Sequence, residues 1–290
     1  MNTIYIILTS TAFGFLCRYT MVKVDYRQYP SYPQAYFSHL MLGFIAALLG
    51  AVFIPAILNK EYTAVTVLTV AASQFREIRE VERTSLTKLD DTEIVKRGAA
   101  YIEDIAKKFE SRNYASILVS LLSCAMLYIF NSFLNVVYNI TITSLISFWI
   151  IFLLNKLMKS KSLNSIADIV KEEIIFDGQF MKVNDIVVSN FGLESSREIV
   201  TETAYALRLH PHNTDGINII SNSGQRQAIL HNICARLGIR KDNDEPEFTP
   251  MAKRIPETGD IVIVFMPIIR DYERILAAVK ETPILESAKH

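Results

Sequence analysis

The sequence predicts an α-helical membrane domain, with about four transmembrane helices plus amphipathic cytosolic helices, followed by a C-terminal α/β domain. Three observations predict it. Half of the 290 residues are hydrophobic, and 30 basic residues balance 30 acidic ones. The charges are laid out unevenly: they concentrate in residues 60–112 and 156–290, and three long segments carry none. Beyond residue 160, short β-type runs alternate with segments of helical periodicity.

Taken in order, "TIYIILTSTAFGFLC" (3–17) lacks a basic leader and a small-residue cleavage site, so it reads as a retained helix. "FSHLMLGFIAALLGAVFIPAIL" (37–58) meets the requirement of about 20 apolar residues for a bilayer span. "YTAVTVLTVAA" (62–72) is short for a span and reads as interfacial or partly inserted. From Asn113 to Asn155 no Asp, Glu, Lys or Arg occurs. That tract divides at "NSFLN", giving spans near 115–131 and 136–154 as a hairpin.

Four spans place Arg18, Lys23 and Arg27 on one side and the remaining flanking basic residues on the other. The richer side is the cytosolic one, which puts both termini in the cytosol. If 62–75 also spans, the N-terminal half flips. The outer loop carries Tyr19, Tyr26, Tyr29, Tyr32 and Tyr36, read as an aromatic belt at the membrane boundary. Cys17, Cys124 and Cys234 are scattered and suggest neither disulfides nor a metal site. Zero net charge gives no electrostatic case for direct nucleic-acid binding. The partner expected from composition is the lipid bilayer.

Between the spans, cytosolic helices are expected within 62–113. Residues 92–113 carry Val95, Ala99, Ile102, Ile105, Ala106 and Phe109 on one helical face. Glu103 and Asp104 precede Lys107 and Lys108 by four residues, the favourable order for ion pairs. "SQFREIREVERTSL" (73–86) repeats the amphipathic pattern, with Arg76, Arg79 and Arg83 as a candidate partner-binding face.

"AYIEDIAKKFESRNY" resembles the signature of the YIEGIA family, membrane proteins of endospore-forming bacteria. "DYRQYPSYP", "YTAVTVLTVAASQFREIREVERTSL", "VKRGAAYIE" and "GQRQAILHNICARLGI" resemble that family too. The motif's glycine is Asp104 here. The resemblance implies a role in sporulation, in a forespore or mother-cell membrane. It also implies protease or protease-regulating activity on small acid-soluble spore proteins.

Residues 160–290 suffice for one domain. Strands are expected at 186–189, 216–221 and 260–268, and helices at 196–209, 224–238 and 271–281. Proline-rich 240–258 reads as a loop or lid.

No HExxH, GxSxG, P-loop or paired CxxC is present. The spans hold no Asp or Glu, which excludes an intramembrane carboxylate pair and argues against a transporter. A cytosolic pair would draw on Asp104, Asp168, Asp177, Asp185, Asp215 or Asp260, since two carboxylates sharing a proton could activate water. Asp104, Asp177 and Asp215 are the catalytic candidates, with caps and turns as the plainer role; Asp177–Gly178 reads as a hairpin turn. His210, His212 and Asp215 could hold zinc, but no further ligand of matching spacing appears, so a capping loop is preferred and no metal or cofactor is expected. Ser221, Asn222, Ser223 and Gly224 open a helix and could present N–H groups to an anion, or simply cap. The alternative to a protease is a non-enzymatic scaffold.

Overall fold

The structure, a computed structural model, describes residues 2–25, 33–242 and 245–289. Tyr26, Tyr29 and Tyr32 of the expected belt lie outside them; Tyr19 is half exposed. The chain forms two compact units: residues 1–84 with 105–159, and residues 85–104 with 160–290.

The first unit is helical: α1 (Thr3–Asp25), α2 (Pro33–Leu58), α3 (Tyr62–Asp90, to Thr84), α4 (Ala99–Asn131, from Ile105) and α5 (Val136–Leu157). Thr3–Val22, Phe37–Leu58, Ala99–Asn131 and Val136–Leu157 are long and apolar enough to cross a membrane. Their burial pattern is inverted relative to a soluble bundle. Ser10, Ser116, Ser123, Asn139, Thr143 and Ser147 are buried, while Leu8, Phe37, Leu145, Trp149 and Phe152 are exposed. Polar groups face inward because hydrocarbon offers them no hydrogen bonds. Asn139 Nδ2 donates to the Leu127 carbonyl at 3.0 Å, and the Ser123 and Ser147 hydroxyls meet at 2.8 Å. Ser116 Oγ donates to the carbonyls of Gly14 (2.8 Å) and Gly43 (3.2 Å), where small residues let α1, α2 and α4 approach closely. Arg18, fully buried, donates from Nε to Asn113 Oδ1 at 3.2 Å, its guanidinium 5.2 Å from the Phe109 ring.

The second unit joins residues 85–104 to an α/β layer fold. Its strands are β1 (Ala167–Glu172), β2 (Ile174–Asp177), β3 (Phe180–Val183), β4 (Ile186–Asn190), β5 (Tyr205–Pro211), β6 (Lys241–Asp242), β7 (Glu245–Pro246), β8 (Met251–Arg254) and β9 (Ile261–Phe265). Its further helices are α6 (Glu194–Thr203), α7 (Thr214–Ser221), α8 (Ser223–Leu237) and α9 (Tyr272–Lys280). One sheet runs β1-β5-β9-β8 and another β2-β3-β4, and β6 pairs with β7 in a two-stranded sheet, all pairings antiparallel. Leu207, Leu209, Ile261, Ile263 and Phe265 face Ile229, Ile233, Ile275 and Val279 of the helices. Ala206, Val262 and Val264 face Met181 and Val183 of the three-stranded sheet. Buried on both faces, β9 reads as an unbroken apolar run, and each buried Ile or Val stabilises the fold by roughly 1.5–3 kcal/mol.

Several sequence expectations meet a different structure here. Residues 216–221 lie in α7, not a strand, because Asn213 caps the segment by accepting the Gly216 N–H at 2.8 Å. The helix expected over 196–209 stops at Thr203, and Tyr205 begins β5, whose alternating Leu207/Leu209 and Arg208/His210 serve two faces. Within 240–258, β6, β7 and β8 replace a plain loop. The hairpin at Asp177–Gly178 is present, with Gly178 at φ +60°. α8 ends at Gly238, φ +69°, as the sequence predicts.

Candidate functional site

Two polar constellations stand out in the second unit. The first lies where "VKRGAAYIED" meets α8. Asp90 accepts the N–H groups of Arg97 at 2.5 Å and Gly98 at 3.2 Å, satisfying donors just before α4 begins. Arg97, buried, donates from Nε to His231 Nε2 (3.1 Å) and from Nη2 to Glu93 Oε1 (2.7 Å). Its Nη1 is buried without a partner. His231 Nδ1 lies 2.8 Å from the Val95 carbonyl, so the neutral ring donates there and accepts from Arg97. Burial holds the His231 pKa below its ordinary value, with the Val95 hydrogen bond and Glu93 acting against that shift. Tyr101 lies edge-on to the same ring, and Gln227 Nε2 donates to the Lys96 carbonyl at 2.5 Å.

The second constellation occupies the sheet face opposite the helices, at one end of β5. Arg208 Nε and Nη2 both donate to Asp260 Oδ2, at 2.9 and 2.6 Å. His210 Nδ1 is 3.1 Å from Asp260 Oδ1, and His212 Nε2 is 3.2 Å from Asp168 Oδ1. Glu172 lies 3.8 Å from Arg208. Burial pushes the Asp260 carboxyl up, but the Arg208 hydrogen bond and those that follow it leave its pKa below the ordinary value. A half-exposed imidazole held by a carboxylate is the base-and-orienter part of a hydrolytic site. Among the described residues, no Ser, Thr or Cys hydrogen-bonds either ring, and no three His, Cys, Asp or Glu side chains are placed to hold a metal.

The catalytic candidates named from sequence sit on three different elements, α4, β2 and α7. Asp177 pairs with Lys182 in the hairpin, which holds its carboxyl below the ordinary range. Asp215 is exposed in the first turn of α7. Asp104 is buried, and its Oδ1 accepts the Glu286 N–H at 3.2 Å. At Ser221–Gly224, Asn222 Oδ1 caps α8 by accepting the Gln225 N–H at 3.2 Å, and a Cβ on Gly224 would lie 2.6 Å from Ala100 Cβ. Ser223 is the first residue of α8, and the Ser221 hydroxyl is buried without a partner. In the first unit, Arg79 pairs with Glu110 at 3.5 Å, Arg83 with Glu80 at 2.5 Å, and Arg76 is exposed.

Sequence reasoning missed Arg97–His231 because 134 positions separate them. It placed Asp260 among six aspartates without its partner Arg208; the period-two pattern of residues 206–210 was the available signal.

The profile of the family described as "YIEGIA protein" matches residues 6–290. "Uncharacterized protein YphB" of Bacillus subtilis (strain 168) is 39% identical over 285 residues, covering 98% of this chain and 93% of that protein. No solved structure matches.

Proposed function

This chain belongs to the YIEGIA family, and from that premise we propose that it is a non-enzymatic membrane scaffold of sporulating cells. It recruits partner proteins to a forespore or mother-cell membrane through Arg76, Arg79 and Arg83 and through its α/β unit. The observation that carries this reading is the employment of the carboxylates: Asp90, Asp104 and Asp177 each serve a loop, a helix end or a hairpin. A water-activating pair needs two carboxylates in contact. The basic flanks of the spans support a cytosolic α/β unit.

Co-purification of partners from sporulating membranes tests the reading. The triple variant Arg76→Ala, Arg79→Ala, Arg83→Ala, still folded, should lose partners that the parent retains. Identical partner sets would refute that binding face.

One observation favours a second reading, a membrane protease or protease regulator acting on small acid-soluble spore proteins. His210, half exposed and oriented by Asp260, could serve as a general base. Under that reading His210→Ala and Asp260→Ala would abolish cleavage.

A further inference from the structure

α3 is the helix whose place in the membrane its composition leaves open, and contacts within the first unit decide it. Along α2, Gly43 meets Ser116 of α4, the Ala51 carbonyl accepts from Cys124 Sγ at 3.2 Å, and Ile54 packs on the cluster of Cys124 and Leu127. Rising numbers in α2 therefore track rising numbers in α4, and the two helices run parallel. α2 thus ends level with the end of α4, far from the charged beginning of that helix. α1 runs the other way: Ile6 packs beside Leu127, Gly14 beside Ser116, and Arg18 binds Asn113. α5 does likewise, from Asn139 at Leu127 to Ile151 beside Val119.

After Leu58 the chain reverses at once. Lys60 adopts φ +59°, its N–H donates to Ile57 and the Glu61 N–H to Ala56, a Schellman stop after which α3 starts at Tyr62. Phe75 then packs on Tyr114, and Arg79 on Glu110. Four residues forward on α3 match four residues back on α4, so α3 is antiparallel to α4. By Phe75 it has returned to the level of Tyr114, where the uncharged part of α4 begins. The path from Tyr62 to Phe75 covers about 20 Å at 1.5 Å per residue.

We infer that the first half of α3 is a fifth membrane crossing, presenting Tyr62, Val67 and Val70 to lipid acyl chains and placing the N-terminus opposite the C-terminal residues. Three further observations agree. Residues 62–75 carry no Asp, Glu, Lys or Arg. Tyr62, Val67 and Val70 are 74%, 62% and 54% exposed, a face that water would disfavour. Thr66, Thr69 and Ser73 each return their hydroxyl proton to a carbonyl of their own helix, as hydrocarbon surroundings demand.

Charge gives an independent check. With five crossings, every Lys and Arg from Arg18 to Lys161 except Lys60 falls on one side. Four crossings instead strand Arg18, Lys23 and Arg27 on the far side. The fifth crossing satisfies the positive-inside rule better. The segment is short against a hydrocarbon thickness of about 30 Å. Lys60 and Arg76 at its ends can snorkel, and helix packing with local thinning absorbs the rest. The expectation of both termini in the cytosol gives way to an outside N-terminus and a cytosolic C-terminus.

The test uses the full chain in intact cells with Cys17, Cys124 and Cys234 replaced. Single cysteines Asn2→Cys, Lys60→Cys, Lys88→Cys and Lys159→Cys are exposed to a membrane-impermeant maleimide before and after permeabilisation. Asn2→Cys and Lys60→Cys should label in intact cells, and Lys88→Cys and Lys159→Cys only after permeabilisation. Labelling of Lys60→Cys and Lys88→Cys from the same side would overturn the inference. Because the cysteine-free chain could misfold, a protease-sensitive tag at the N-terminus of the unaltered chain is read in parallel. A tag cut from outside agrees with the fifth crossing, and a tag cut only from the cytosolic side overturns it.

Discussion

Arg97→Ala removes the centre of the joint between residues 90–98 and α8. Two charge-assisted hydrogen bonds disappear, each worth about 1.5–3 kcal/mol. Three features adjust that sum. Glu93 keeps a side chain 30% exposed, so water takes over part of its carboxylate's need. His231 Nε2 becomes a buried acceptor without a donor, at about 1–3 kcal/mol. Against this, the unpartnered Nη1 of Arg97 no longer has to be kept from water. The net local loss is about 3 kcal/mol, roughly a hundredfold in the opening equilibrium at 1.4 kcal/mol per decade. Hydrogen exchange on the detergent-solubilised protein reads this directly. Amides 95–98 and those of α8 around His231 should exchange about a hundred times faster. Arg97→Lys should recover little, because a single ammonium cannot reach two partners in the guanidinium's fork. Exchange within about threefold of the parent would refute the assignment of Arg97 as the centre of the joint, the predicted change being roughly a hundredfold.

Acid should loosen the same joint. The folded His231 pKa lies below its ordinary value, so this stability is fully present above the unfolded value of about 6.5 and is lost as pH falls beneath it. Protection factors at 95–98, which discount the slower intrinsic exchange in acid, should fall by at most about tenfold per pH unit below that point, and His231→Gln should flatten the profile. In the membrane unit, a Cβ on Gly50 would lie 2.3 Å from the Ile117 carbonyl oxygen, and one on Gly43 2.3 Å from Arg18 Cγ. Backbone yields less readily than a side chain, so Gly50→Ala should lower the melting temperature in detergent more than Gly43→Ala, each costing about 1–3 kcal/mol. The opposite order would contradict the packing described. Asp104→Gly removes the acceptor for the Glu286 N–H and puts glycine inside a helix, costing about 1–2 kcal/mol and freeing amides near 286 to exchange. Unchanged exchange there would show that Asp104 does not hold that end.

What could be read from the chain and what could not divides along physical lines. α8, α9, β4, β9 and the Asp177–Gly178 hairpin were readable because caps, periodicity and turn chemistry are local signals. α7 reads as a strand in sequence because Ile217, Ile219 and Ile220 have strong β propensity, while the deciding cap, Asn213, lies outside the apolar run. β5 merges with α6 in the sequence pattern, since only Ala204 separates the end of the helix from the alternating strand. The place of α3 is ambiguous in sequence because hydropathy weighs a segment alone, whereas its contacts with Tyr114 and Glu110 of α4 are long-range. Arg97–His231 and Arg208–Asp260 are long-range pairs, and one sequence carries no sign of which charges meet.

The scaffold reading is tested most directly by cleavage. The purified, folded protein in detergent is incubated with an extract of small acid-soluble spore proteins, and mass spectrometry searches for new peptide termini. His210→Ala, Asp260→Ala and Asp104→Ala variants are run alongside. The account predicts no new termini with the parent or with any variant. New termini made by the parent and abolished by His210→Ala or Asp260→Ala would contradict it and establish a protease.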